Sequence, residues 1–195
     1  MSKSFPHVNE ENAPEASKAL MKESIKRLGF LPKAHEVFAI SPAFYDSYLS
    51  MFGNFVGNTS LTPKEQNVVF VTASTQNACE YCMNIHAFGA EASGLSKQEV
   101  KDILADQPLS DQKLEVLRQT VSSLLLNHGQ LTNESKQAFF ESGFTHEQLL
   151  EVLLGIGSKV MSNYANLLAE SKPEREYSRR LGPWARIDWT HFLTF

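Results

Sequence analysis

Apolar residues recur three and four positions apart along most of this chain, and short polar clusters separate the runs. That period places apolar side chains on one face of an α-helix. The polar clusters carry helix-start chemistry. Thr62-Pro63-Lys64-Glu65, Ser96-Lys97-Gln98-Glu99 and Thr145-His146-Glu147-Gln148 are spaced as capping boxes, in which two side chains satisfy free backbone N–H groups of the first turn. Ser110 and Thr132 are expected caps without the box partner. Leu95 with Val100, Leu109 with Leu114 and Phe144 with Leu149 have the spacing of hydrophobic staples. Gly94, Gly129 and Gly143 stand where helices should stop. The pattern predicts helices over 13–28, 33–40, 42–57, 63–77, 79–93, 97–105, 111–128 and a final long pair at 133–142 and 146–170. The fold class it implies is all-α.

Two stretches depart from this simple pattern. Val68-Val69-Phe70-Val71-Thr72 is rich in strand-favouring residues. Its start at Thr62-Pro63 and the lack of a second strand to pair with favour a helix. The segment 146–170 carries Leu149, Val152, Leu153, Ile156, Val160, Tyr164 and Leu167 on one stripe and Leu150, Leu154, Met161 and Leu168 on another. Apolar residues on so many sides predict a central helix or one shared with a second subunit, and Gly155 and Gly157 permit close approach.

Composition narrows the class. The chain has 195 residues, 42% hydrophobic and 21% charged, with a net charge of -4. That suits a single packed domain and gives no general attraction to nucleic acid or anionic membranes. The N-terminal stretch has no apolar core of a signal peptide, and no run is long enough to span a bilayer. A cytoplasmic protein is the expectation. From Ser171 onward, arginines alternate with Tyr177, Trp184, Trp189, Phe192 and Phe195. Such a tail can bind single strands. Its interspersed acids instead favour packing on its own domain or on a neighbouring subunit.

The chemistry gathers in one place. Both cysteines of the chain lie at Cys79 and Cys82, followed by His86. On a helix these three fall on one face, and Cys82 and His86 are an i, i+4 pair. A helix start and a neighbouring imidazole each favour the thiolate over the thiol, and a second cysteine one turn away can resolve a sulfenic acid to a disulfide. An idle buried pair, a three-ligand zinc set and a thioredoxin-like motif are the competing readings. Zinc lacks a fourth ligand, and thioredoxin-type motifs usually hold Gly-Pro where this chain has Glu80-Tyr81. His35, His128 and His146, near helix ends, are expected to serve backbone or solvent contacts, and His7 and His191 lie near the termini.

Asn77-Ala78-Cys79-Glu80-Tyr81-Cys82 with His86, preceded by Leu61-Thr62-Pro63-Lys64-Glu65 and followed by Gly94-Leu95-Ser96, resembles the alkyl hydroperoxidase AhpD / carboxymuconolactone decarboxylase family. The likeness is to its peroxidase-related branch with an extended N-terminus. It continues through Leu109-Ser110-Asp111, Gly143-Phe144-Thr145 and Asn163-Tyr164-Ala165-Asn166, covering about residues 35–170. The resemblance implies an AhpD-like helical bundle over 1–170, with an N-terminal helical extension, and a tail at 171–195. It also implies a homo-oligomer (dimer, trimer or hexamer) and reduction of organic hydroperoxide or hydrogen peroxide. In that scheme Cys82 resembles the peroxide-attacking cysteine, Cys79 the resolving one and His86 a member of the proton relay. A separate dithiol would restore the pair, and no cofactor or metal is implied.

The chain departs from the family pattern twice. The relay glutamate expected twelve residues before the first cysteine is Asn67, and the turn residue before that cysteine is Ala78 rather than Gly. Glu65 and Glu80 are the nearest alternative acids. The missing glutamate keeps a second expectation open: a redox-sensing or metal-binding oligomeric module using the same three side chains without turnover.

Overall fold

The computed structural model describes residues 4–6 and 8–174. His7, His191 and the part of the tail from 175 onward lie outside the described residues. Among these residues there are nine α-helices and no strand. They are α1 (Glu15–Leu28), α2 (Lys33–Phe38), α3 (Pro42–Asn58), α4 (Pro63–Gln76), α5 (Glu80–Ala92), α6 (Lys97–Leu104), α7 (Gln112–Leu126), α8 (Asn133–Glu141) and α9 (His146–Leu168).

All three expected capping boxes form, at Thr62, Ser96 and Thr145. Thr132 caps α8 alone. The cap of α7 is Asp111 instead of Ser110; its carboxylate accepts from the backbone N–H of Lys113 and Leu114. A charged oxygen at a helix N-terminus gains from the helix dipole as well as from the hydrogen bonds, so the acid outcompetes the hydroxyl beside it.

The β-rich run 68–72 lies inside α4, and α4 is the centre of the fold. It packs against α5, α6, α7 and α9, and every residue from Val68 to Thr75 is buried. Valines suited to a strand are accommodated because burial on all sides outweighs their small helix penalty. Around α4 runs the larger hydrophobic cluster, which includes Val68, Val69, Leu117, Val121, Phe139 and Val152.

A second cluster fills the N-terminal end. Met21, Ala34, Phe38, Tyr45 and Tyr48 pack there with Cys79, Tyr81 and Cys82. Phe52 packs against both clusters. Helices α1 and α2 are therefore the wall that closes over the thiols, and removing them would open the site to water.

Candidate functional site

The local chain explains where the thiols sit. Helix α4 ends at Asn77, and Ala78 takes a left-handed φ of 51°. A residue with a Cβ costs roughly 1–2 kcal/mol there, so Ala78 does under strain what glycine does freely. The turn is fixed by Ala78 N–H donating to Thr75 O at 2.9 Å and Cys79 N–H donating to Ser74 O at 3.0 Å. It delivers Cys79 to the N-cap of α5 and Cys82 to that helix's first turn.

The two thiols touch. Cys79 Sγ donates to Cys82 Sγ at 2.8 Å, and Asn166 Nδ2 of α9 donates to Cys82 Sγ at 3.7 Å. Both cysteines are buried, and no disulfide joins them. His86 does not join them as expected. Its Nε2 meets Lys159 Nζ of α9 at 2.6 Å, and the Phe70 ring lies against both, 4.7 Å from the imidazole centroid and 5.6 Å from the ammonium.

Lys159 is the residue that the sequence pattern concealed. It is 1% exposed, within a helix dominated by apolar residues. The only signal was a charge flanked by Ser158 and Val160 where the apolar stripe ran on. A buried ammonium is costly unless negative charge or strong acceptors face it. Here His86 is the acceptor, and the nearby sulfurs act on the ammonium through their charge.

The electrostatics follow from that placement. Burial alone would raise the Cys82 pKa. The hydrogen bond from Cys79, the charge of Lys159 and Asn166 outweigh it and bring it down to about 7. Cys79 goes the other way: its bond to Cys82, its burial and the neighbouring sulfur's charge push it well above an ordinary thiol. Loss of solvent, then the Lys159 charge, hold His86 well below its usual range. Burial also lowers Lys159, partly offset by the two sulfurs. The consistent state is a neutral His86 accepting from an ammonium that faces a Cys82 thiolate.

No carboxylate takes the relay position. Asn67 Nδ2 donates to Pro63 O at 2.9 Å. Glu65 is committed to the capping box and to Lys113, 2.7 Å away, and Glu80 is exposed. Among the described residues, no group of three or more His, Cys, Asp or Glu side chains is placed to hold a metal ion. No helix there is long and apolar enough to cross a membrane.

A cavity of about 350 Å³ reaches Cys82, His86 and Lys159. Its wall is largely aromatic and aliphatic, with Phe38, Tyr48, Leu49, Phe52 and Ile85, and α1 and α2 supply much of it. His35 corrects its sequence reading. It is buried, bonds Tyr45 Oη through Nδ1 at 3.1 Å, lines this cavity, and is lowered by burial to about 4. Tyr45 in turn contacts Ser24 Oγ at 2.6 Å, so the cavity has a second polar point on its wall.

Comparison with known proteins follows the same outline. Residues 42–107 match the carboxymuconolactone decarboxylase family model. No curated protein matches the chain significantly. Among solved structures, an uncharacterized peroxidase-related protein from Silicibacter sp. TM1040 is similar at a TM-score of 0.75 and 16% identity, covering 91% of this chain and 95% of that one. An AhpD-core peroxidase-related protein from Ralstonia eutropha JMP134 gives 0.76 and 17%, with coverage of 91% and 95%. The debrominase Bmp8 gives 0.76 and 15%, with coverage of 93% and 98%. A cysteine-to-alanine variant of Bmp8 has been solved in complex with 2,3,4-tribromopyrrole, and it too matches, at 0.75 and 14% over 93% of this chain and 97% of that one. The family-matched segment contains both thiols and His86, while Lys159, Asn166 and the cavity wall of α1 and α2 lie outside it. The chain has the all-helical fold of these AhpD-like proteins, and its segment 42–107 is similar to the carboxymuconolactone decarboxylase family.

Proposed function

We propose that this protein is a dithiol oxidoreductase of the peroxidase kind, with Cys82 as nucleophile and Cys79 as resolving thiol. The observation that carries the reading is the touching thiol pair beside a buried ammonium at an apolar cavity. A cavity in the few-hundred-Å³ range suits an organic hydroperoxide and also admits hydrogen peroxide.

The Cys82 thiolate attacks the terminal peroxide oxygen. The S–O bond forms, the O–O bond breaks, and the departing alkoxide takes a proton from Lys159. Cys79 then attacks the sulfenic sulfur: the disulfide forms, the S–O bond breaks, and the Cys79 proton leaves with hydroxide as water. The two electrons lost by the thiols are those gained by the peroxide. His86 keeps the Lys159 ammonium aimed at the sulfur and carries no proton itself, which is how the site works without the carboxylate missing at Asn67. An external dithiol returns the two electrons.

A homo-oligomer is supported by the face of α9 that carries Leu150, Leu153, Tyr164, Leu167 and Leu168, all exposed. A contiguous apolar face of this kind fits contact with a second copy.

The test is turnover of cumene hydroperoxide with dithiothreitol. Wild type is expected to consume peroxide catalytically, and Cys82→Ser and Cys79→Ser to lose at least about a hundredfold in kcat/KM. One equivalent of oxidation with no turnover would identify the redox-sensing module instead. A second reading rests on the aromatic cavity wall and the likeness to a debrominase. The same two electrons can replace bromine on an aromatic ring by hydrogen, releasing bromide and leaving the protein disulfide. Bromide release from a bromopyrrole, at a rate exceeding peroxide consumption, would favour it.

A further inference from the structure

The dithiol is flanked by two cavities. The first, described above, is lined by Cys82 but not Cys79. The second, of about 310 Å³, is lined by Cys79 but not Cys82, together with Glu80, Leu167, Ser171 and Lys172. Tyr81 and Asn166 line both and form the partition. Tyr81 is held there by donating to Glu174 Oε1 at 2.8 Å while its oxygen accepts from Ala34 N–H at 3.2 Å. Asn166 is held by donating to Ser162 O at 2.8 Å.

We propose that the two cysteines are served through different doors: the oxidant reaches Cys82 from the first cavity, and a dithiol reductant reaches Cys79 through the second. This rests on the dithiol reading above and deepens it. The chemistry of the two sulfurs agrees with their placement. Thiol–disulfide exchange is faster when the expelled sulfur is the more acidic thiol. Attack on Cys79 Sγ expels Cys82 beside Lys159, whereas attack on Cys82 would expel the sulfur whose thiolate is disfavoured.

The steps balance. The first thiolate of the reductant bonds to Cys79 Sγ, the Cys79–Cys82 bond breaks, and Cys82 leaves as thiolate. The proton released from that first thiol restores the Lys159 ammonium. The reductant's second sulfur then displaces Cys79, which takes the second proton, and the reductant departs as its own disulfide. Cys79 is 1% exposed. A cysteine on the face of a folded redoxin cannot reach it, so the entering thiol is carried on a slender chain.

The disulfide is made with diamide, so that this half-reaction is measured whether or not peroxide is the natural oxidant. Oxidised wild type is mixed with excess 2-mercaptoethanol and quenched rapidly by alkylation. Tandem mass spectrometry should find Cys82 as the first alkylated thiol and the mixed disulfide on Cys79. In parallel, Ser171→Trp narrows the second cavity from a position outside the apolar face of α9. Reduction by dithiothreitol should slow at least tenfold, while oxidation by cumene hydroperoxide changes less than twofold. Release of Cys79 first, or a reduction rate within twofold of wild type in the tryptophan variant, overturns the proposal. Failure of wild type to react with peroxide at all would sink the peroxidase reading and leave this measurement standing.

Discussion

Replacing Lys159 by methionine removes the ammonium beside Cys82 and keeps most of the side-chain volume. The thiolate titration, followed by ultraviolet absorbance or by alkylation rate against pH, should move up from about 7 by about one pH unit or more. At neutral pH the peroxide reaction should fall by about tenfold. An unchanged midpoint would remove Lys159 from the mechanism. A second residue-scale expectation concerns His35. Its folded pKa of about 4 lies below the unfolded value of about 6.5, because the buried ring resists charging. The unfolded state therefore binds the proton first. Stability is full above pH 6.5 and falls as pH drops toward 4, by about 3 kcal/mol. In Asn at position 35 (His35→Asn) this part of the acid-side loss should disappear from urea unfolding measured between those pH values; an identical pH dependence would contradict it. At this scale the sequence made the thiols legible, since two cysteines one turn apart leave few options. It did not disclose Lys159 or His35, because nothing in their neighbours says that a distant helix will bury them.

Helix α9 shows the same limit at the scale of an element. Its periodicity places Leu153, Tyr164 and Leu167 on one apolar stripe, expected in a central helix or in one shared with a second subunit, and in the single chain these are 41%, 52% and 45% exposed. The face turned inward past Val152 and Ile156 carries Ser158, Lys159, Ser162, Asn163 and Asn166. Periodicity finds a face that avoids water but not what covers it, and a polar strip is buried where it serves a site. The starts and stops were legible, because capping depends on residues within one turn. The glycines of α9 were legible as close-approach points, and the structure separates them. A Cβ on Gly155 would lie 2.6 Å from Phe55 Cε2 and 2.9 Å from Val69 Cγ1, both in the packed core. On Gly157 it would meet only the flexible end of Met51, at 2.9 Å. Gly155→Ala should cost about 1–3 kcal/mol in denaturant unfolding, and Gly157→Ala less than about 1 kcal/mol, because helix propensity offsets the contact. Equal effects would contradict this packing.

On the scale of the molecule, the site is assembled from parts that no single segment contains. The family-matched stretch supplies the turn at Ala78, both thiols and His86. Helices α1 and α2 supply the wall of the cavity, and α9 supplies the ammonium and Asn166. The all-helical fold was readable from the chain because α4, capped at Thr62, organises its neighbours by burial alone. The relation of the site to α9 was not, because it depends on contacts more than seventy residues apart. The most direct test of the central claim uses the Cys79→Ser variant, in which Cys82 has no partner to resolve it. Treated with cumene hydroperoxide in the presence of dimedone, it should form a sulfenic-acid adduct on Cys82, at a rate that rises with pH through about 7 and then levels. The Cys82→Ser variant should leave Cys79 unmodified over the same time. Adduct formation on Cys79 at a comparable rate would contradict the assignment of Cys82 as the activated thiol.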